Sequence, residues 1–127
     1  MKNETAFRLI HHIHIHSSSF DRSSAFYLAL FDALGHGGKV HRGRDWLELN
    51  EFYLDQAEAE IPPSRIHLCF LARSRAEVQA FHAAGIAAGG TDNGGPGLRD
   101  YHPGYYAAYV LDPDGNNIEA KFDEQPA

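Results

Sequence analysis

The sequence predicts an α+β fold in which two tandem βαβββ modules form a curved, barrel-like mixed sheet around a pocket, with the helices outside. One observation is that the order strand, helix, glycine, strands occurs twice in 127 residues. Another is that a shift of 55 residues superimposes the first unit on the second, which indicates an internal duplication. The matched pairs are His12 and His67, Ser19 and Ser74, Ala25 and Ala80, Phe26 and Phe81, Ala33 and Ala88, and Gly35 and Gly90. We expect a single domain over residues 1–127, with module one at about 6–57, a linker at about 58–64 and module two at about 65–123.

Module one is predicted to start with a strand and a helix. Residues 7–17 alternate, with histidines on one face and isoleucines on the other, which is the period of a strand. Ser19 is a suitable N-cap, and apolar residues then recur at helical spacing until Gly35 ends the helix.

The next strands of module one are expected to form a hairpin. The segments "WLEL" and "FYLD" flank Asn50-Glu51, and a two-residue turn there gives one apolar face and one mixed face. The segment "GKVHRG" is expected to add a short strand. The predicted pairs are Leu49 with Phe52, Glu48 with Tyr53, Leu47 with Leu54, and Trp46 with Asp55.

Module two repeats this order. "RIHLCFLA" reads as a strand, Ser74 and Glu77 form a capping box, and the helix is expected to run to about Ala88 and to end at Gly89-Gly90. "YYAAYVL" and "NNIEAKF" flank the turn signal "DPDG", which predicts a second hairpin.

Composition excludes several classes of function. The net charge of −6 argues against a nucleic-acid partner, and the apolar runs are too short to span a membrane. The first ten residues lack the apolar region of a signal peptide, so we expect a cytoplasmic protein. The single cysteine, Cys69, excludes a disulfide framework within the chain and is expected to be a small buried residue.

The motifs "HIHIHSSSFDRSSAFY", "HLCFLARSRAEVQAFHAAGIAAGG" and "YVLDPDGNNIEAKF" resemble those of the vicinal oxygen chelate superfamily. This superfamily includes glyoxalase I, bleomycin resistance proteins and extradiol dioxygenases. The resemblance implies that His12, His67 and Glu119 bind one divalent metal ion, which could be Zn, Ni, Mn or Fe. Two histidines and one carboxylate form a facial site with open positions for water and substrate oxygens.

The fourth ligand of the glyoxalase I pattern is ambiguous in this sequence. By its local amino-acid sequence, "LELN" resembles the strand that supplies this ligand, which makes Glu48 a candidate. By topology, "FYLD" takes that place and offers Tyr53 or Asp55. Glu48 and Asp55 are therefore both possible fourth ligands. Because the sequence does not decide between them, the predicted site has three protein ligands.

Other side chains are candidates for catalysis or for the pocket. His14 and His16 share the face of His12, so both are candidates for the pocket wall. All three histidines together span too great a length of strand to bind one ion, so the strand is expected to supply one primary ligand for a given ion, with a second one nearby at most. The glycine-rich residues 89–99 are expected to form a mobile loop over the site. The candidate catalytic residues are Glu119, Glu48, His102 and Tyr106, and the candidate pocket residues are His14, Trp46, Tyr53, Tyr101, Tyr105 and Arg99.

The sequence thus predicts a glyoxalase-like lyase or isomerase that binds a small substrate through vicinal oxygens on a divalent metal ion and catalyses proton transfer. One alternative is an Fe(II) extradiol-type dioxygenase, which needs the same two histidines and one carboxylate. Another is a resistance protein that binds a small molecule or antibiotic without catalysis. The resemblance further implies a homodimer.

Overall fold

The computed structural model describes residues 9–125, so the expected start of module one near residue 6 lies outside the described part of the chain. Within this range, two helices and a short 3₁₀ helix (Gly37–Lys39) accompany nine strands. The helices are α1 (Phe20–Ala33) and α2 (Arg75–Ala87). The strands are β1 (Ile13–Ser17), β2 (His41–Arg42), β3 (Trp46–Leu49), β4 (Phe52–Gln56), β5 (His67–Leu71), β6 (Thr91–Asp92), β7 (Gly97–Leu98), β8 (Tyr105–Leu111) and β9 (Asn117–Asp123).

The strands form two mixed sheets, one from each module. The order in the first sheet is β1-β4-β3-β2, and the order in the second is β5-β9-β8-β6, with β7 also paired to β8. In each sheet the first strand of the module runs parallel to the last one, and the other pairs are antiparallel. The α+β class and the tandem modules are confirmed. Between residues 9 and 125 the strands do not close into a barrel, and module two has one short strand more than βαβββ.

Both predicted hairpins are confirmed. In module one the observed register is Leu49 with Phe52, Glu48 with Tyr53, Leu47 with Leu54 and Trp46 with Asp55. Asn50 has a φ of 53°, the left-handed conformation that asparagine tolerates in such a turn. In module two the hairpin runs from Leu111 opposite Asn117 to Tyr105 opposite Asp123.

The helix starts follow the predicted shift of 55 residues, whereas the helix ends do not. Ser19 Oγ accepts a hydrogen bond from the backbone N–H of Arg22, and Ser74 Oγ accepts one from that of Glu77. The Glu77 carboxylate accepts from the N–H of Arg73 rather than from that of Ser74, so the capping box is only half formed.

The two helices also differ in length. Because α1 has 14 residues and α2 has 13, the left-handed glycine that follows each helix is Gly35 (φ 85°) in one module and Gly89 (φ 102°) in the other. The predicted matches of Gly35 with Gly90 and of Ala33 with Ala88 are therefore wrong by one residue. Gly90 has a different role, since a Cβ there would lie 2.5 Å from the Phe26 ring.

The two modules share one hydrophobic core. Each helix packs on the apolar face of its own sheet, and the two helices pack against each other. The rings of Phe31, Phe52 and Phe70 join the modules, with centroids 5.4 to 5.8 Å apart. Because the helices cover one face of each sheet, the opposite face of each sheet is left to carry polar side chains.

No helix in the described part of the chain has the length and apolar character needed to cross a membrane.

Candidate metal centre

Strand pairing aligns the open faces of the two modules. His14 lies opposite Tyr53 in the first sheet, and Cys69, 55 residues after His14, lies opposite Glu119 in the second. The position that Glu119 occupies in module two is therefore held by Tyr53 in module one. This places the two candidate fourth ligands elsewhere, with Glu48 on β3 and Asp55 two residues further along β4.

Glu119 is the centre of the open face of module two. Its side chain is only 3% exposed, and its Oε1 lies 2.9 Å from Nε2 of His67. Tyr105 donates a hydrogen bond from its hydroxyl to Oε2 of Glu119 at 2.5 Å. The structure thus brings together two of the three predicted ligands and one predicted pocket residue.

The environment of Glu119 keeps its phenol and thiol neighbours protonated. Removal of water from the Tyr105 and Tyr109 hydroxyls, followed by their interaction with the Glu119 carboxylate, raises the pKa of both tyrosines above the usual value. The same two causes raise the pKa of the Cys69 thiol to about 12. Cys69 as a whole residue is exposed, so the prediction that it is buried is wrong: its side chain lies on the uncovered face of the edge strand β5.

Residues 101–106 contribute to this face unequally. The rings of Tyr101 and His102 lie 5.0 and 5.2 Å from that of Tyr105, and His102 Nε2 is 3.3 Å from a carboxylate oxygen of Asp123. Tyr106 is on the opposite face of β8, where its hydroxyl accepts a hydrogen bond from Gln79 of α2. Strand alternation therefore separates the candidate catalytic residue Tyr106 from Glu119.

The loop before β8 brings a cation to the same face. The Arg99 guanidinium lies 5.3 Å from the ring centre of Tyr109 and donates a hydrogen bond to the carbonyl of Gly95. This position fits the predicted pocket role of Arg99.

His12 lies immediately before β1 and is exposed, with its Nδ1 3.0 Å from Nδ1 of His11. Over residues 9–125 of a single chain, His12, His67 and Glu119 do not form a group whose ligand atoms all lie within 4.8 Å of one another. Within one chain, the three predicted ligands thus fall into a pair, His67 with Glu119, and one separate histidine, His12.

A second cluster occupies the open face of module one. Asp55 Oδ2 lies 3.0 Å from His14 Nε2, and Asp55 Oδ1 lies 3.0 Å from His16 Nδ1. One ligand atom from each of these three residues lies within 4.8 Å of the others. His14 and His16 were both predicted to reach the pocket from one face of β1, and Asp55 was a possible fourth ligand, but the three were not predicted to form one cluster. The spacing of His14 and His16 by two residues on one strand was the available signal.

The remaining candidates of module one form an aromatic surface. The rings of Trp46 and Tyr53 stack with centroids 6.1 Å apart, and the edge of Tyr53 packs against His14 at 4.7 Å. Glu48 is exposed on β3, opposite Tyr53.

A cleft of about 770 Å³ lies between the modules, and its walls are mostly apolar. Its walls include Phe31, Phe52, Leu68 and Phe70, and neither the predicted ligands nor the predicted pocket residues line it. The cleft therefore does not include the candidate metal centre, although Cys69, which lies opposite Glu119, is on its wall.

Comparison with known proteins agrees with this architecture. A solved structure of a glyoxalase/bleomycin resistance protein from Albidiferax ferrireducens is 33% identical, with a TM-score of 0.78, and the match covers 90% of this chain and 98% of that one. A glyoxalase/bleomycin resistance protein/dioxygenase family enzyme from Burkholderia phytofirmans is 21% identical (TM-score 0.66; 89% and 97% covered). A lactoylglutathione lyase from Agrobacterium tumefaciens is 20% identical (TM-score 0.60; 89% and 92% covered). At these two lower identities the likeness concerns the fold alone.

No curated protein matches the chain significantly. The sequence profile of the Glyoxalase/Bleomycin resistance protein/Dioxygenase superfamily matches residues 9–120. The chain therefore belongs to the glyoxalase/bleomycin resistance protein/dioxygenase superfamily.

Proposed function

We propose that this protein is a metal-dependent lyase or isomerase of the glyoxalase type, which binds a small substrate through vicinal oxygens and transfers a proton. The observation that carries the proposal is the Glu119 carboxylate, which is nearly buried and held between His67 Nε2 and the Tyr105 hydroxyl. A buried carboxylate needs strong partners, and one with an imidazole and a phenol beside it is a common arrangement at functional sites.

The side chains fit a divalent metal ion. Imidazole and carboxylate together suit Zn, Ni, Mn or Fe, and His67 and Glu119 already lie within the separation of two ligands of one ion. In the proposal these two residues and His12 hold the ion. When bound, the ion polarises the substrate oxygens as a Lewis acid.

The protein side chains supply the remaining chemistry. Glu119 is the proposed base that takes a proton from the substrate carbon, and Tyr105 keeps Glu119 oriented by donating to Oε2. Tyr105 serves this role in place of Tyr106, which contacts Gln79 on the helix side of the sheet. Arg99, beside Tyr109, is placed to meet an anionic group of the substrate.

The proposed site is completed in a homodimer, with His12 of the partner subunit beside His67 and Glu119. Support comes from the arrangement of the single chain, where these three residues do not cluster. Mixing inactive His12→Ala and His67→Ala proteins then restores part of the activity, because a heterodimer contains one intact site. Failure of the mixture, with both variants folded and dimeric by light scattering, would argue for a site within one chain.

The reaction is tested by proton exchange. Untagged protein loaded with Zn²⁺ or Ni²⁺ is incubated in D₂O with a panel of α-hydroxycarbonyl compounds, and loss of the α-proton is followed by NMR. The wild type is expected to exchange the proton of at least one compound, and Glu119→Gln is expected to lose this activity. Exchange by Glu119→Gln at the wild-type rate excludes Glu119 as the base.

The dioxygenase alternative rests on the same donor set, since two histidines and a carboxylate also define Fe(II) oxygenase sites. Uptake of oxygen by the Fe(II)-loaded protein with catechols, without proton exchange, favours this alternative. Binding of a small molecule by protein that takes up no metal favours the resistance-protein alternative.

A further inference from the structure

We propose that His14, His16 and Asp55 form a second divalent-metal site, separate from the proposed catalytic one and complete within a single chain. The three side chains belong to two neighbouring parallel strands, β1 and β4, in which His16 lies directly opposite Asp55 and His14 lies opposite Tyr53. Both histidines therefore reach the same carboxylate from one strand.

The distances match those between ligands of one ion. The two oxygens of Asp55 lie 3.0 Å from His14 Nε2 and 3.0 Å from His16 Nδ1. Two ligands about 2.0–2.2 Å from a zinc ion, at an angle of about 90–110°, are separated by about 2.8–3.6 Å. Small rotations of the imidazoles, whose ligand atoms all lie within 4.8 Å, are enough to admit the ion.

The surroundings allow binding and hold the ligands in place. The side chains of His14, His16 and Asp55 are 39%, 36% and 26% exposed, so an ion can enter and keep water at its open positions. The Tyr53 edge supports the His14 ring, and Trp46 stacks on Tyr53. Two imidazoles and one carboxylate favour Zn, Ni, Cu or Fe over Mg or Ca, which prefer oxygen ligands.

This cluster has no equivalent in module two. The strand pairing places Cys69, Leu71 and Lys121 at the positions that match His14, His16 and Asp55. There Lys121 forms an ion pair with Asp123 at 3.1 Å. The second site is thus a feature of module one and not a copy of the Glu119 centre.

Zinc binding in a background without the proposed catalytic site tests the inference. Zn²⁺ is titrated calorimetrically into untagged His67→Ala protein, which is expected to bind one ion per chain. Adding His16→Ala to this background is expected to weaken binding by more than about 100-fold, since even changes outside the direct ligands cost about 10- to 100-fold. The matched control is His82→Ala in the same background, because His82 pairs with a single carboxylate, that of Asp92, at 2.8 Å.

The outcomes separate this inference from the proposed function. Zinc binding that survives His67→Ala and His82→Ala but not His16→Ala supports the second site, whatever the activity assays give. A His67→Ala protein that binds no zinc overturns the second site, and so does binding that survives His16→Ala. A zinc-dependent rise in melting temperature that follows the same pattern checks that the variants are folded.

Discussion

The two modules share one fold but carry different side chains on their open faces. In module two Glu119 lies opposite Tyr109, and in module one Tyr53 lies opposite Glu48. The same cross-strand pair of glutamate and tyrosine thus occurs in both modules with the strands exchanged. The exchange decides burial: Glu119 on β9 is nearly inaccessible between His67 and Tyr105, whereas Glu48 on β3 is exposed. At this pair of positions the carboxylate is enclosed on the strand next to the first strand of its module and exposed one strand further out.

The hairpin turns differ even more than the faces, and they give the largest predicted effect. Asp112 accepts hydrogen bonds from the N–H groups of Asp114 and Asn116, from the Asn116 amide and from the Tyr27 hydroxyl. Asp112→Ala leaves several of these donors buried and unpaired, so the free energy of unfolding should fall by about 3–4 kcal/mol. Urea unfolding followed by circular dichroism measures this.

The matched change in module one is Asn50→Ala. It adds only left-handed backbone strain, about 1 kcal/mol, because Asn50 has a φ of 53°. An equal loss of stability in the two variants would show that the Asp112 network does not stabilise module two as described.

Glutamine variants of the two glutamates test whether burial marks the metal ligand. Glu119→Gln should weaken the binding of Zn²⁺ or Ni²⁺ at the His67 site by about 100-fold or more, whereas Glu48→Gln should change it less than about 3-fold. Both affinities are measured in the His16→Ala background, where the second site is removed. A greater loss in Glu48→Gln would assign the ligand to module one.

Tyr27 connects the two modules, since it belongs to α1 and donates to Asp112 at 2.6 Å. Tyr27→Phe should lower the free energy of unfolding by about 2 kcal/mol at neutral pH, because the Asp112 oxygen loses a buried donor. Loss of hydration, followed by the charge of Asp112, raises the pKa of Tyr27 above 10. The neutral phenol is therefore favoured in the folded state, and its contribution is complete below pH 10 and lost as the pH rises above that value. The difference from Tyr27→Phe should shrink at alkaline pH, and a constant difference up to pH 11 would contradict the assignment.

Tyr105 and Tyr106 lie on opposite faces of β8, so their phenylalanine variants compare the two faces. Tyr105→Phe should lower kcat for proton exchange by about 10-fold, since the hydrogen bond to Glu119 Oε2 is lost. Tyr106→Phe, which removes a contact to Gln79 on the helix side, should leave kcat within about 2-fold. Equal rates in the two variants would remove Tyr105 from the proposed mechanism.

The smallest expected effect concerns Cys69. Its pKa of about 12 makes the thiol slow to react at pH 8, and loss of hydration is the main cause. Glu119→Gln removes the nearby negative charge but leaves the loss of hydration, so alkylation by iodoacetamide should be a few-fold faster. An unchanged rate would show that the negative charge of Glu119 does not affect the pKa of this thiol.

Local patterns predicted the elements, and tertiary contacts decided the site. The alternation of histidine and isoleucine correctly placed His14 and His16 on one face, and the turn at Asn50-Glu51 gave the register of its hairpin. The sequence does not show that β4 lies beside β1, because this contact is made across a helix and two strands; the contact of Asp55 with both histidines therefore could not be predicted. The sequence could have predicted that Tyr105, and not Tyr106, faces Glu119, because counting back from the DPDG turn places Tyr105 and Tyr109 on the face of Glu119.

The central claim is that a metal ion binds at His67 and Glu119. Anomalous diffraction from crystals soaked in Zn²⁺, collected on both sides of the zinc absorption edge, tests it most directly. The claim predicts a peak within about 2.0–2.2 Å of His67 Nε2 and a Glu119 oxygen, with a second peak at His14, His16 and Asp55. Full occupancy at module one with no density beside Glu119 would contradict it.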